Sequence, residues 1–329
     1  MATSGTDEAA RALWYVGPGR AEIREEKLGP LGPDEVRVRA TYGALSRGTE
    51  SLILAGRVPV SEYERMRAPC MGGNFPFPVK YGYSTVGLVE AGPAELRGRN
   101  VFALHPHQTL FNAPASMVVA LPDGVPPARA VLAANMETAL NAVWDAAPGP
   151  AGRIAIVGAG VVGALVAFLC VRLAGTEVTL VDINPARAEL ARKLGVNFAR
   201  PDAAPMDCSL VVHTSATAAG LATALSLAGN EATVLELSWY GDAPVAVALG
   251  GVFHSRRLKL ISSQVGQVAP SHRARYTHAQ RLAEAVSLLA DPRLDALLAP
   301  AVPFGDLPAK LPDILKPENG ILCQLISYS

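Results

Sequence analysis

Arg153-Ile154-Ala155-Ile156-Val157-Gly158-Ala159-Gly160-Val161-Val162-Gly163 is the stretch on which the fold turns. Its first residues form an apolar run that reads as a buried strand. Glycines follow, and Val161 opens an apolar helical stretch that runs to Ala174. A second strand, Glu177 to Val181, then ends at Asp182. Strand, glycine turn, helix, strand and acid in this order form a dinucleotide-binding pattern. Gly158 permits the tight turn, Gly160 lets a pyrophosphate approach the backbone, and Gly163 lets the helix pack on the strand. The first amides of the helix, from Val161 and Val162 onward, then meet the phosphate charge. Asp182 stands where a carboxylate accepts both ribose hydroxyls. This favours NAD over NADP, whose 2′-phosphate the carboxylate would repel. A plain glycine turn in an unrelated α/β protein is the alternative reading.

Outward from this motif, strands and helices keep alternating. Leu210 to Val212 and Thr233 to Leu237 read as strands, separated by an alanine-rich helix over Ala216 to Ala228. Leu258 to Ser262 reads as a further strand. The rhythm predicts an α/β fold with a parallel, doubly wound sheet. Upstream, Pro126 to Asp145 carries apolar residues at helical spacing. Before that the pattern is all-β. Ala12 to Val16 and Ala21 to Lys27 flank the turn Gly17-Pro18-Gly19, and Glu35 to Ala40 alternates polar and apolar residues. Ser84 to Glu90 and Val101 to Leu104 are short strands. A helix is read over Arg275 to Ala290, and Ala301 to Ser329 returns to short strands and proline-rich turns. The expected organisation is a β-rich domain from residues 1–125 and 271–329, with the nucleotide domain, residues 126–270, inserted between them.

Composition narrows the function classes. The 329 residues are 50% hydrophobic and carry no net charge. That leaves no electrostatic argument for nucleic acid or an anionic membrane. Cys70, Cys170, Cys208 and Cys323 are scattered, which signals neither a disulfide framework nor a cysteine zinc lobe and suits a reducing compartment. Met1 to Ala10 lacks a signal peptide's apolar core and is expected to be a disordered lead-in. The helix from Val161 to Ala174 is too short to span a bilayer. A soluble cytoplasmic protein with a small-molecule substrate is the expectation, with no nucleic-acid or membrane partner.

From Ala12 to the C-terminus the chain resembles the medium-chain dehydrogenase/reductase family, which includes alcohol and polyol dehydrogenases. The resemblance implies a GroES-like β-rich catalytic domain at both chain ends and a Rossmann domain between them. It also implies a homodimer joined through Rossmann edge strands. Gly158-Ala159-Gly160 followed by Asp182 is similar to the NAD-using alcohol and polyol branch. The zinc site is where the sequence departs. The family's first ligand is a Cys before a Gly-Thr-Asp-like triplet, and here Arg47 precedes Gly48-Thr49-Glu50. The His of a Gly-His-Glu motif is matched by Tyr83 after Gly82, and the Cys or Glu at the start of the interdomain helix by Ala134. Arg, Tyr and Ala cannot replace those ligands. The four-cysteine lobe is also missing, its place taken by Ala103-Leu104-His105-Pro106-His107-Gln108. A new site from His105, His107 and Glu137 rests on weakly specific spacing, so no metal is expected.

Without zinc, another group must manage one proton and the charge on the substrate oxygen. Tyr83 leads, because it matches a ligand position and carries an ionisable hydroxyl; otherwise it merely fills the vacated space. Thr49 matches the family's proton-relay hydroxyl, or is a plain turn or cap hydroxyl. Arg47 either stabilises a developing alkoxide or an anionic substrate group, or pairs with Glu50 or Glu137 across the old metal cavity. His105 and His107 are candidate proton shuttles at neutral pH, or a pair of loop histidines. For the cofactor, the resemblance adds Thr214 and Ser215 after one strand and Ser263 after the last. Three functions stay open. The first is a zinc-independent, NAD-linked oxidoreductase acting on a secondary alcohol or its ketone. The second is an NADPH-dependent enoyl or quinone reductase. The third is a non-catalytic dinucleotide-binding or redox-sensing protein.

Overall fold

The structure, a computed structural model, describes residues 9–328. The lead-in expected over Met1 to Ala10 lies outside the described residues up to position 8, and Ala9 already opens a strand. By internal contacts the chain forms two units. One comprises Met1–Ala134, Val286–Ala290 and Leu298–Ser329, the other Asn135–Ala285 and Asp291–Leu297.

The first unit begins with β1 (Ala9–Gly17), which returns at once as β2 (Arg20–Lys27) through a turn containing Gly19. In β3 (Glu35–Leu45) buried Val36, Val38 and Ala40 alternate with Arg37 and Arg39, as a strand with one solvated face must. α1 (Arg47–Ala55) follows directly and stops at Gly56, whose left-handed backbone lets its amide meet carbonyls of the last turn. β4 (Gly72–Gly73) and β5 (Val79–Lys80) complete a four-stranded sheet in the order β2-β1-β5-β4. β6 (Thr85–Ala91), β7 (Asn100–Ala103), β8 (Leu110–Pro114) and β9 (Val118–Ala120) belong with β3 to a second sheet. Val36, Val38, Val89, Val101 and Phe111 form its core. The helix read over Pro126 to Asp145 is two helices, α2 (Pro127–Ala130) and α3 (Ala133–Ala146). At the break, the Val131 carbonyl accepts the Ser84 hydroxyl instead of continuing a helical ladder.

In the second unit, β10 (Arg153–Val157), β11 (Glu177–Val181), β12 (Asn197–Ala199), β13 (Cys208–His213), β14 (Ala228–Glu236) and β15 (Lys259–Ser262) form one parallel sheet. The order is β12-β11-β10-β13-β14-β15, so the chain reverses direction across the sheet between β10 and β13. Open α/β sheets bind ligands at such a point, beyond the carboxyl ends of the strands. The crossovers include α4 (Val161–Cys170), α5 (Arg187–Leu194) and α6 (Ala218–Leu227). α4 ends at Cys170 rather than Ala174, because the Thr176 hydroxyl takes the Cys170 and Leu173 carbonyls. α7 (His278–Ser287) carries Arg281, which is buried and donates to Glu137 and Asn141 of α3 and to the Val265 and Gln267 carbonyls. This anchor keeps most of α7 in the second unit, so the unit runs to Ala285, past the boundary at 270 read from the sequence.

The chain then returns to the first unit. β16 (Leu298–Pro303), α8 (Leu307–Ile314) and β17 (Cys323–Ser327) follow, and β17 lies antiparallel to β3. The second sheet therefore reads β16-β17-β3-β6-β7-β9, with β8 also on β3. Both ends of the chain thus build the β-rich unit. Among the described residues no helix is long and apolar enough to cross a membrane.

Candidate functional site

The nucleotide motif lies in the second unit, at the reversal point of its sheet. β10 is buried from Ile154 to Val157 and ends in Gly158, whose φ of 110° favours glycine. A Cβ on Gly158 would lie 2.7 Å from Thr214 Oγ1, so the loop after β13 closes directly on the turn. A Cβ on Gly163 would lie only 2.0 Å from the Gly158 carbonyl oxygen, so helix and turn touch there. Gly160 is different: a Cβ there would meet nothing within 4 Å. The space it leaves is open, which suits a ligand approaching the backbone. Gly160 also precedes the first turn of α4, where Val161, Val162 and Gly163 present amides that have no partner within the helix.

Asp182 follows β11 and is held by this turn. Its Oδ2 accepts the Ala159 amide at 2.7 Å and its Oδ1 the Asn184 amide at 2.8 Å. The Thr214 hydroxyl donates to the Gly158 carbonyl at 2.8 Å. Ser215 Oγ lies 2.7 Å from His213 Nε2. Ser263 is half-buried, and its hydroxyl donates to Asp145 of α3 at 2.6 Å. Glycines, Asp182 and Thr214 thus form one constellation, while the Ser263 hydroxyl is engaged on α3.

The positions matched to zinc ligands were Arg47, Tyr83 and Ala134. In the first unit, Tyr83 is half-buried and its hydroxyl meets Ser46 Oγ and, at 3.1 Å, Thr49 Oγ1. Ser46 and Thr49 stand one turn apart at the start of α1, so both hydroxyls reach the same point. Burial pushes the Tyr83 phenol up to about 12, and its hydrogen bonds with Ser46 and Thr49 oppose that rise. At neutral pH it is a proton donor.

Beneath it lies Glu50, 1% exposed. Glu50 accepts the Ser46 amide at 2.7 Å, contacts His107 Nε2 at 2.9 Å, and accepts the Tyr15 hydroxyl. Gly82 makes room for this arrangement, since a Cβ there would lie 2.9 Å from the His107 ring. Burial, then the Glu50 carboxylate, hold the Tyr15 phenol well above its ordinary value.

The Arg47 guanidinium donates to the Ile321 and Lys316 carbonyls. Glu137 is ion-paired with Arg281 at 3.0 Å, both side chains buried. Burial raises the Glu137 carboxyl, and Arg281 opposes that rise. His105 is buried. Its ring stacks on Phe111 at 3.8 Å, Nδ1 contacts the Pro106 carbonyl at 2.9 Å, and burial lowers its pKa to about 3.

A catalytic zinc, which the dehydrogenase resemblance implies, finds no ligand set here. An arginine bound to carbonyls, a protonated phenol and an alanine offer neither thiolate nor imidazole nor carboxylate. Among the described residues no group of three or more His, Cys, Asp and Glu side chains is placed to hold a metal.

Comparison with known proteins bears on the fold. Residues 153–201 match the family model described as 3-hydroxyacyl-CoA dehydrogenase, NAD binding domain. L-idonate 5-dehydrogenase from Escherichia coli K-12 superposes with a TM-score of 0.80 at 15% identity, over 98% of this chain and 99% of that one. An alcohol dehydrogenase from Escherichia coli CFT073, complexed with NADH, gives 0.76 at 15% identity, over 97% and 99%. 2R,3R-butanediol dehydrogenase from Bacillus subtilis gives 0.76 at 14% identity, over 97% and 100%. The chain has the fold of the two-domain alcohol and polyol dehydrogenases. The medium-chain resemblance is thereby borne out at the level of the fold. No curated protein matches the chain by sequence.

Within this dehydrogenase fold, sequence reasoning missed Ser46, the bonds that tie Glu50 to His107, and His213 with Glu236. Ser46 was accessible, because a hydroxyl three residues before Thr49 at a helix start shares its face. Glu236 was not, because it meets His213 only through the pairing of β13 with β14.

Proposed function

We propose that the chain is an NAD(H)-linked oxidoreductase that works without catalytic zinc and interconverts a secondary alcohol and its ketone. The observation that carries this reading is the glycine turn. It is closed at Gly158 and Gly163, open at Gly160, and has the Asp182 carboxylate fixed on the Ala159 amide. Gly160 and the first amides of α4 would hold the pyrophosphate, and Asp182 the ribose hydroxyls. The nicotinamide, when bound, supplies or receives the hydride. Tyr83, a protonated phenol that here donates to Ser46 and Thr49, would turn that hydrogen bond to the substrate oxygen and give up the proton as the alcohol forms. Ser46 and Thr49 orient that phenol, and their hydroxyls supply the path by which it is reprotonated. Glu50 fixes the Ser46 end of this chain through the backbone amide.

A second reading has one observation in its favour. Arg187, in the first turn of α5, is half-buried within electrostatic reach of Asp182. A guanidinium there offsets part of the repulsion that Asp182 would exert on a 2′-phosphate, so NADPH use is the alternative. The proposal extends to a cytoplasmic homodimer. β15 is an edge strand whose Leu260 and Ile261 are exposed, which favours pairing along that edge.

The test is fluorescence titration with NADH and NADPH, followed by turnover on alcohol, ketone and enone panels. Expected are tighter NADH binding, ketone reduction insensitive to chelator, and no stoichiometric zinc by elemental analysis. About one zinc per chain would overturn the metal-free reading. NADPH binding with enone turnover would favour the enoyl reductase, and binding without any turnover a non-catalytic protein.

A further inference from the structure

A chain of polar side chains lies at the carboxyl ends of β13 and β14, beside the residues assigned to the nucleotide. Glu236 Oε2 is 2.7 Å from His213 Nδ1, and His213 Nε2 is 2.7 Å from Ser215 Oγ. Ser215 Oγ is 3.0 Å from Thr217 Oγ1, which caps α6 by accepting the Gly220 amide at 3.0 Å. His213 is fully buried. The Glu236 end is itself fixed, by the Ser238 amide at 2.7 Å and the Tyr240 hydroxyl at 3.0 Å.

Acid, imidazole and hydroxyl in this order resemble an activated serine. The packing argues against that use. A Cβ on Gly220 would come within 2.0 Å of Ser215 Oγ and 2.8 Å of His213 Nε2, so α6 covers their contact. The hydroxyl is turned toward this helix and the imidazole rather than presented as a nucleophile. What the chain does contact is the glycine turn. The residue between His213 and Ser215 is Thr214, whose amide donates to the Val157 carbonyl at 2.9 Å and whose hydroxyl donates to Gly158 at 2.8 Å. The Ser215 amide nitrogen lies 2.8 Å from where a Gly158 Cβ would stand. The Ala216 amide donates to Ser238 Oγ at 3.1 Å, so the loop is held from both sides.

We propose that His213, backed by Glu236, is a positioning residue that holds the 214–217 loop against the Gly158 turn in the shape that admits a dinucleotide. The hydrogen-bond directions agree with this role. With the proton on Nδ1 facing Glu236, Nε2 accepts the Ser215 hydroxyl, Ser215 accepts from Thr217, and Thr217 accepts from Gly220. Every donor points the same way, and such chains reinforce each other. Releasing the brace lets the loop relax away from Gly158 and slackens the turn on which the pyrophosphate would rest. This inference rests on the dinucleotide reading given above.

The test uses the full chain and NADH. His213→Asn, Glu236→Gln and Ser215→Ala are compared with wild type by NADH fluorescence titration, with the melting temperature of each apo protein alongside. Each variant is expected to raise the NADH Kd about tenfold, the loss of one hydrogen bond to a charged or relayed group. The Ser215→Ala, His213→Asn double variant should be no weaker than the weaker single variant, because both cut one chain. Ser215→Ala removes only a hydroxyl, so it guards against a result that merely reports misfolding. Unchanged Kd in folded single variants, or losses that add in the double variant, would overturn the brace alone. A wild type that binds neither NADH nor NADPH would overturn the nucleotide reading and the brace with it.

Discussion

Replacing Tyr83 with phenylalanine separates chemistry from architecture. The substitution removes one hydroxyl and leaves the ring, which makes an edge-on contact with Tyr81 at 6.0 Å. Ser46 and Thr49 lose one shared partner. The folding cost is about 1 kcal/mol, that of an ordinary hydrogen bond. The catalytic cost is larger, because a donor aimed at a developing oxyanion is worth about 3–4 kcal/mol, roughly a 100- to 1000-fold drop in kcat. NADH binding should be unaffected.

The pH dependence supplies a second check. With the phenol at about 12, Tyr83 stays protonated across the working range. Ketone reduction should therefore be flat with pH as far as Tyr83 is concerned. Alcohol oxidation needs the phenolate, so its kcat/KM should climb about tenfold per pH unit from neutrality toward pH 10. Steady-state rates in both directions, for wild type and Tyr83→Phe, decide the matter. A variant within threefold of wild type, or an oxidation rate that levels off near pH 7, would refute the reasoning.

Other outcomes follow from the glycines and from His105. Gly160→Ala enters open space, so the apo protein should lose no more than about 1 kcal/mol, the scale of a helix cap change, while NADH affinity falls at least about tenfold. Gly163→Ala meets the Gly158 carbonyl at 2.0 Å and should cost about 1–3 kcal/mol in urea unfolding even without nucleotide. His105, lowered to about 3 in the fold, must stay neutral there. The unfolded chain binds the proton first as pH falls below about 6.5, so this contribution to stability is complete above that value and lost toward pH 3. Between pH 7 and 5 the loss is about 2 kcal/mol. His105→Phe should flatten that slope by this amount and leave turnover at pH 7 unchanged; an unflattened urea profile would show that the ring is already charged.

The fold was readable wherever its signal was local. The apolar run before Gly158, the spacing of the glycines and the acid after the second strand all lie within one βαβ unit, and each took its expected place. The return of the chain to the β-rich unit was also legible, because short strands follow the last helix. Side-chain destinations were legible only at short range. Thr49 and Tyr83 meet as their positions suggested, and Ser46 could have been added from helix geometry. Arg47 could not be traced, since its carbonyl partners lie at 316 and 321 in a turn that no spacing announces. The surroundings of His105 were hidden for the same reason. A His-x-His pair looks reactive in sequence, but stacking on Phe111 and burial are products of the sheet, not of spacing.

The Arg47 anchor has a consequence for how this corner of the molecule can change. A thiol at position 47 would supply one metal-binding group, yet it would also release the two carbonyls that the guanidinium now ties down between α8 and β17. A histidine at 83 would likewise break the contact with Ser46 and Thr49 before it gained any ion to bind. Either substitution taken alone therefore loses bonds that now hold the corner, and a metal would need several ligands placed together before it could repay them. The corner is thus held by the same bonds that leave it without a ligand set.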